Sequence, residues 1–231
     1  MDAQELAFLA CQESSGLIPM MNKTIFKHQI TTEQELRDIV GYSSELVTRK
    51  AIHSIDQHCR HFISQSPMAF IATADRSGTC DVSPRGDKAG FVHVIDDNHL
   101  IIPERPGNRR LDSLRNILSN PCIGIIFIIP GLEETLRING NAYIVNDDDL
   151  LEEMKVNDKK PLLGIGVKVE ECYVHCAKAF KRSSLWDPSK WPEKEDLPVI
   201  SQVLADHVNM KDVTAEDVAK SLKETYEKRL Y

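Results

Sequence analysis

The 231-residue chain has no apolar run approaching the ~20 residues needed to cross a bilayer; its longest, Ile123 to Pro130, is strand length. It has no excess of basic residues either. The formal net charge is -7, which excludes a broad cationic face for nucleic acid and leaves anion recognition to a local cluster of Arg and Lys. Six cysteines stand at positions 11, 59, 80, 122, 172 and 176, without the short paired spacings of a zinc ribbon or a disulfide-stapled scaffold. Reduced thiols in a cytoplasmic protein are the expectation. The N-terminus, MDAQELAFLACQESSG, is acidic with a short apolar part, and so a poor secretory signal. No nucleophile elbow, Walker loop, GxGxxG turn or HExxH helix is present. Such a chain carries no self-contained catalytic set, which suits chemistry supplied by a bound cofactor.

What is present is ordinary globular composition, 42% hydrophobic and 27% charged, in a length that buries a full core without staples. Residues 1–28 have little periodicity and read as an extension, with Met20-Met21 inside it as an alternative start. Thr32-x-x-Glu35 is a capping box opening a short helix that Gly41 ends. A second helix is expected from near Ser44 to Pro67, with Ile52, Ile55, Cys59, Phe62 and Ile63 on one face. The pattern then changes to short strands: Met68 to Ala74, Thr79 to Ser83, Phe91 to Ile95, His99 to Pro103, Cys122 to Ile129, Glu134 to Val145 bent at Gly140, and Gly164 to Tyr173. Helices are expected from Arg109 to Leu118, after Asp147, around Ala177 to Lys181, and over 214–230. About six strands joined by tight turns point to a mostly β fold with flanking helices, a six-stranded antiparallel split barrel. The barrel domain spans 29–195, and 196–231 forms a C-terminal helical segment.

Three clusters could carry chemistry. The first is Arg105-Pro-Gly-Asn108-Arg109-Arg110 at a helix start. Unpaired N–H groups and two guanidinium groups there suit a phosphate, Gly107 allows close backbone approach, and Asn108 is a favoured N-cap. On spacing alone, a solvated helix start with surface arginines is the readier account. The second is Asp81-Val-Ser83-Pro84-Arg85-Gly86-Asp87-Lys88, either polar groups at a barrel rim or a surface turn with local ion pairs. The third, His175 to Trp186, sets Lys178, Lys181 and Arg182 on one helix face beside an aromatic surface, or is simply a solvated face. Cys172, His175 and Cys176 find no further ligand pair, so no metal site is expected.

Taken together, DVSPRGD (81–87), IPERPGNRRLDSLRNILSNP (102–121), ETLRINGNA (134–142) and HCAKAFKRSSLW (175–186) resemble a subgroup of the pyridoxamine-5′-phosphate-oxidase-like superfamily of FMN-binding split barrels. The resemblance runs from about residue 30 to 190. It implies a homodimer with FMN at the subunit interface, Arg109 and Arg110 on the phosphate with Asn108 beside them, and Ser83, Arg85 and Lys88 near the flavin. Pro103 and Glu104 would run along the ring edge. Thr135 falls at a flavin-contacting position, and Arg137 shares its strand face. Lys178 and Trp186 belong to the subgroup motif alone. The oxidase's C-terminal Trp…Arg-Leu-x-Pro segment has no counterpart, so vitamin B6 oxidation is not expected.

The resemblance therefore implies an FMN-dependent oxidoreductase acting on a small molecule or NAD(P)H. Other readings are a non-catalytic flavin sensor or carrier, and a deazaflavin- or haem-handling barrel in which His93 or His175 would be the axial ligand. A structural dimer with an empty cleft is the plainest of them.

Overall fold

The structure is a computed structural model and describes residues 25–231. The expected extension up to residue 24, with Cys11 and the Met20-Met21 pair, lies outside the described residues. Two compact units emerge, the first reaching Ser44 and the second spanning Glu45–Tyr231. In the first, helix α1 (Glu33–Val40) opens on the expected capping box: Thr32 accepts from the Glu35 amide and Glu35 returns to the Thr32 amide. Gly41, at φ 73, ends it.

The second unit is built on seven antiparallel strands: β1 (Met68–Ala74), β2 (Cys80–Gly86), β3 (His93–Val94), β4 (His99–Glu104), β5 (Cys122–Ile128), β6 (Thr135–Val145) and β7 (Leu163–His175). Their order is β2-β1-β5-β6-β7-β4-β3, so β2 and β3 are free edges and the sheet does not close on itself. The expected antiparallel split-barrel sheet is present, with seven strands rather than about six and left open, and the strand expected over Phe91 to Ile95 is reduced to the two-residue β3.

Local chemistry sets the turns. The Asp75 carboxylate accepts from the amides of Ser77 (2.8 Å) and Thr79 (3.0 Å), and Gly78 takes φ 87, closing the β1–β2 hairpin. Asp96 does the same for Asn98 (2.7 Å) and His99 (2.8 Å) between β3 and β4. Strand alternation sends Ala69, Ile71, Ile123, Ile125, Phe127, Leu136, Ile138 and Cys172 inward to one core, beneath α3 (Gln57–Gln65) and α4 (Asp112–Ser119). A smaller cluster joins Ile101 to Leu151 and Met154, on and just after α5 (Asp148–Glu153).

The single helix expected from Ser44 to Pro67 is two, α2 (Glu45–Arg49) and α3. Between them Ile52 leaves helical geometry and exchanges backbone hydrogen bonds with Cys172 (3.0 and 2.7 Å), adding a short bridge to the sheet. The remaining α-helices are α6 (Lys178–Ser183), α7 (Ile200–Val208) and α8 (Ala215–Lys228). Among the described residues no helix is long and apolar enough to cross a membrane.

Candidate functional site

A groove of about 1560 Å³ opens between the ends of β2 and β4, the turn entering α4, the 159–163 loop and the end of α8. Its size exceeds the usual ~300–1000 Å³ of small-ligand pockets. It brings together Ser83, Arg85, Pro103, Glu104, Asn108, Arg109 and Arg110, seven residues singled out from the sequence. Strand β2 lines the groove along 81–86, with Asp81, Ser83 and Arg85 half-buried and Val82 and Pro84 exposed by strand alternation.

The turn differs from its expected form. Helix α4 starts at Asp112 rather than Arg109, and Leu111 is its N-cap without a capping side chain. Asn108 is not the N-cap; its side-chain oxygen accepts the Arg110 amide at 3.0 Å, an Asx turn one step earlier. Arg109 and Leu111 both adopt left-handed backbone, at φ 61 and 62, which side-chain-bearing residues seldom do. Such strain costs roughly 1–3 kcal/mol per residue and tends to collect at ligand sites. The result is an uncapped helix end lining the groove, with amide donors that an anion can satisfy.

The cations of the groove are not equivalent. Arg110 donates to Asp112 (2.8 Å), and Arg85 pairs with Glu104 across the β2–β4 gap. Arg109 and Arg229 make no ion pair among the described residues, whereas Lys159, which lines the same groove, donates to the Tyr231 main-chain oxygen at 2.7 Å. The Arg85 Nε is buried without a hydrogen-bond partner among the described residues, an orphan donor that a ligand acceptor would satisfy. At Gly107 a Cβ would meet only the Arg105 carbonyl at 4.0 Å, so internal packing does not demand glycine there.

Beside the groove, Asp87 is a structural anchor. Its side chain is 1% exposed and accepts Arg105 Nε at 2.7 Å, the Lys88 amide at 2.8 Å and the Tyr231 hydroxyl at 2.7 Å. Burial alone would raise its pKa; the Tyr231 hydroxyl, the Lys88 amide and Arg105 outweigh it and hold the carboxyl below its ordinary 3.8. A depressed folded pKa gives stability that is fully present above the unfolded value and is lost as pH falls through the folded one. The Asp87 contribution is therefore expected to disappear below about pH 3.8. Thermal unfolding of Asp87→Asn measured from pH 6 to 3 should show a shallower acid limb than the parent, whereas parallel limbs would remove Asp87 from the account.

Five sequence-selected residues lie outside the groove. Lys88 is exposed just beyond β2. Lys178 is the exposed first residue of α6. Trp186 donates its indole N–H to the Leu132 carbonyl (2.9 Å) and stacks on Phe180 with centroids 5.7 Å apart, pinning the segment after α6. Thr135 and Arg137 stand opposite His175 and Tyr173 in the β6–β7 ladder. There the Arg137 guanidinium and the Lys50 ammonium each lie over the Tyr173 ring, at 5.3 and 5.2 Å. Burial first, then Arg137 and Lys50, push the His175 pKa below its ordinary value. His93 sits 3.2 Å from Glu153, and neither histidine lines the groove. Cys172 points into the core with its sulfur 3.2 Å from that of Cys59, and His175 lies on the opposite strand face.

Sequence spacing did not single out Lys159, Arg229 or Tyr231 as site residues. Their approach to the groove depends on contacts across more than seventy residues of chain, as in the Lys159–Tyr231 bond, which no local motif records.

An open antiparallel sheet carrying a basic turn at a groove between β2 and β4 is the class of domain the geometry defines. Residues 55–176, more than half of the chain, match the family model of pyridoxamine 5′-phosphate oxidase, and the chain belongs to that family. Solved structures similar to part of the chain include HupZ of Group A Streptococcus, at 22% identity and a TM-score of 0.43 over 52% of this chain and 93% of that one. An FMN-binding protein of Syntrophomonas wolfei is 9% identical, with a TM-score of 0.40 over 62% and 97%. General Stress Protein 26 of Bacillus anthracis is 15% identical, with a TM-score of 0.36 over 51% and 94%. No curated protein matches the chain.

Proposed function

We propose that the chain binds FMN in the β2–β4 groove and acts as an FMN-dependent oxidoreductase on a small molecule. The observation that carries this reading is the turn into α4. Arg109 is held there in strained left-handed backbone beside an uncapped helix end, with no carboxylate neutralising it among the described residues. Membership of the oxidase family supports the same cofactor. The residues present fit a phosphorylated, planar ligand: Arg109 and the α4 amides for the phosphate, the orphan Arg85 Nε as a donor further in, and Ser83, Pro103 and Glu104 along the wall.

Bound FMN supplies hydride transfer; the protein supplies binding, orientation and electrostatics. The Arg85–Glu104 pair ties β2 to β4, so it fixes the width of the groove while leaving Nε free to donate. Asp87 and Arg105 hold the loop after Glu104 from the buried side. Titration of the purified chain with FMN and with riboflavin tests the reading. Saturable quenching of FMN fluorescence, much weaker for riboflavin, is expected; no saturable binding of FMN would overturn it.

The homodimer belongs to the same proposal. On the outward sheet face the register aligns Pro84, Phe70, Ile126, Arg137 and Tyr173 across five strands. Val82 is 66% exposed and Ile126 38% exposed on that face, apolar surface that a second copy would cover. Arg137 would then be presented to the partner rather than to its own groove, whereas Thr135 is buried within its own chain. Paired substitution Val82→Asp and Ile126→Asp is expected to convert a dimer to a monomer in light-scattering chromatography. An unchanged mass would place the interface elsewhere.

A further inference from the structure

The end of α8 is tied to the groove by more contacts than a surface helix needs. The Tyr231 hydroxyl donates to Asp87 Oδ1 at 2.7 Å, while Asp87 Oδ2 accepts Arg105 Nε at 2.7 Å. The Arg105 guanidinium lies 5.7 Å from the Tyr231 ring centroid, and Lys159 Nζ donates to the Tyr231 main-chain oxygen at 2.7 Å. Asp87, Arg105 and Lys159, from three separate chain segments, thus converge on Tyr231. Tyr226, Arg229 and Leu230, which precede it, line the same groove as Arg109.

Two consequences follow from the charges. Arg229 makes no ion pair among the described residues, so the docked segment adds one uncompensated cation to the groove that holds Arg109, while Lys159 is engaged by the Tyr231 main-chain oxygen. Asp87, the residue that anchors the segment, is occupied with Arg105 and Tyr231 and does not cancel that charge. The segment is also separate from the sheet: α8 begins at its own capping box, Thr214 with Asp217, and makes its densest packing with α7. Its hold on the groove is the Tyr231 latch.

We propose that residues 226–231 form a strap over the groove, fastened by Tyr231 on the Asp87–Arg105 pair, that brings Arg229 to the phosphate of the ligand and slows the ligand's exchange. This rests on the FMN reading above. Undocking the strap widens the groove and removes Arg229 from it; docking restores both.

The strap is tested by stopped-flow release of FMN from the full chain, compared with Tyr231→Phe and Arg229→Gln. Amide hydrogen exchange across 225–231 is followed in parallel. Tyr231→Phe keeps the ring over Arg105 and deletes one hydrogen bond to a charged acceptor, so FMN release should quicken roughly tenfold and amides 226–231 should exchange faster. Arg229→Gln should weaken FMN about tenfold and leave riboflavin, which lacks the phosphate, unchanged. Parent protein that binds FMN, with both variants matching it in release and affinity, would overturn the strap and leave the FMN reading standing. Parent protein that binds no FMN would overturn the FMN reading and the strap's ligand role with it. Unaltered circular dichroism of both variants checks that each is folded.

Discussion

Arg109→Ala is expected to weaken FMN binding by roughly ten- to a hundredfold, the loss that follows from removing a charge-assisted bond to phosphate. The adjacent substitution Arg110→Ala should do much less. Arg110 already donates to Asp112 at 2.8 Å, and its amide is satisfied by Asn108. Arg109 has no such partner and sits in left-handed backbone that only the surrounding turn maintains. Alanine at 109 removes the guanidinium and leaves the backbone cost in place, so folding stability should change little while affinity falls. Fluorescence titration of the two single variants separates the residues. Equal losses at both positions would mean that Asp112 releases Arg110 on binding, and no loss at either would place the phosphate elsewhere.

Gly140→Ala is expected to cost about 3 kcal/mol of folding stability, a melting temperature lower by roughly 6–12 °C for a chain of this length. The register between β6 and β7 shifts at Asn139/Gly140, and a Cβ built on Gly140 would lie 2.1 Å from the Lys168 carbonyl oxygen. That neighbour is backbone in the longest ladder of the sheet, so it cannot swing aside as a flexible side chain would. The backbone at Gly140 is not left-handed; closeness, not φ, requires glycine there. Urea unfolding midpoints of parent and variant decide the matter, and matching midpoints would show that the bulge relaxes. Because Arg137 lies on β6 just before the bulge, a shifted register would also move the face assigned to the partner copy.

Much of this arrangement is legible in the chain, and what is not has identifiable causes. Strand β1 falls where its apolar, β-prone run predicts, and the bend at Gly140 is a real bulge. Strand β2 runs on through Pro84 and Arg85, where turn formers suggest a loop. It is an edge strand paired only with β1, so a proline without an N–H is tolerated. The break between α2 and α3 escapes helical periodicity because it is made by the backbone of Cys172, far along the chain. The start of α4 is misplaced for a local reason: Asn108 has two capping options, and here it closes its own Asx turn instead of the helix.

The candidate site divides the same way. Residues of the two clusters 81–88 and 105–110 meet because β2 and β4 bring their ends to one groove, with Arg85 reaching Glu104 and Asp87 reaching Arg105. Trp186, attractive as a flat surface for a ligand, is spent on Leu132 and Phe180. Arg137 belongs to another face, where its charge is shared with Lys50 over Tyr173. The wall supplied by Arg229 and Tyr231 is a product of tertiary contact alone.

The most direct test of the central claim is the visible absorbance spectrum of the purified chain, followed by release of any chromophore and measurement of its mass. The account predicts flavin bands and a released molecule with the mass of FMN, both diminished in Arg109→Ala. A colourless protein that acquires no flavin bands when mixed with excess FMN and separated from it would contradict the account.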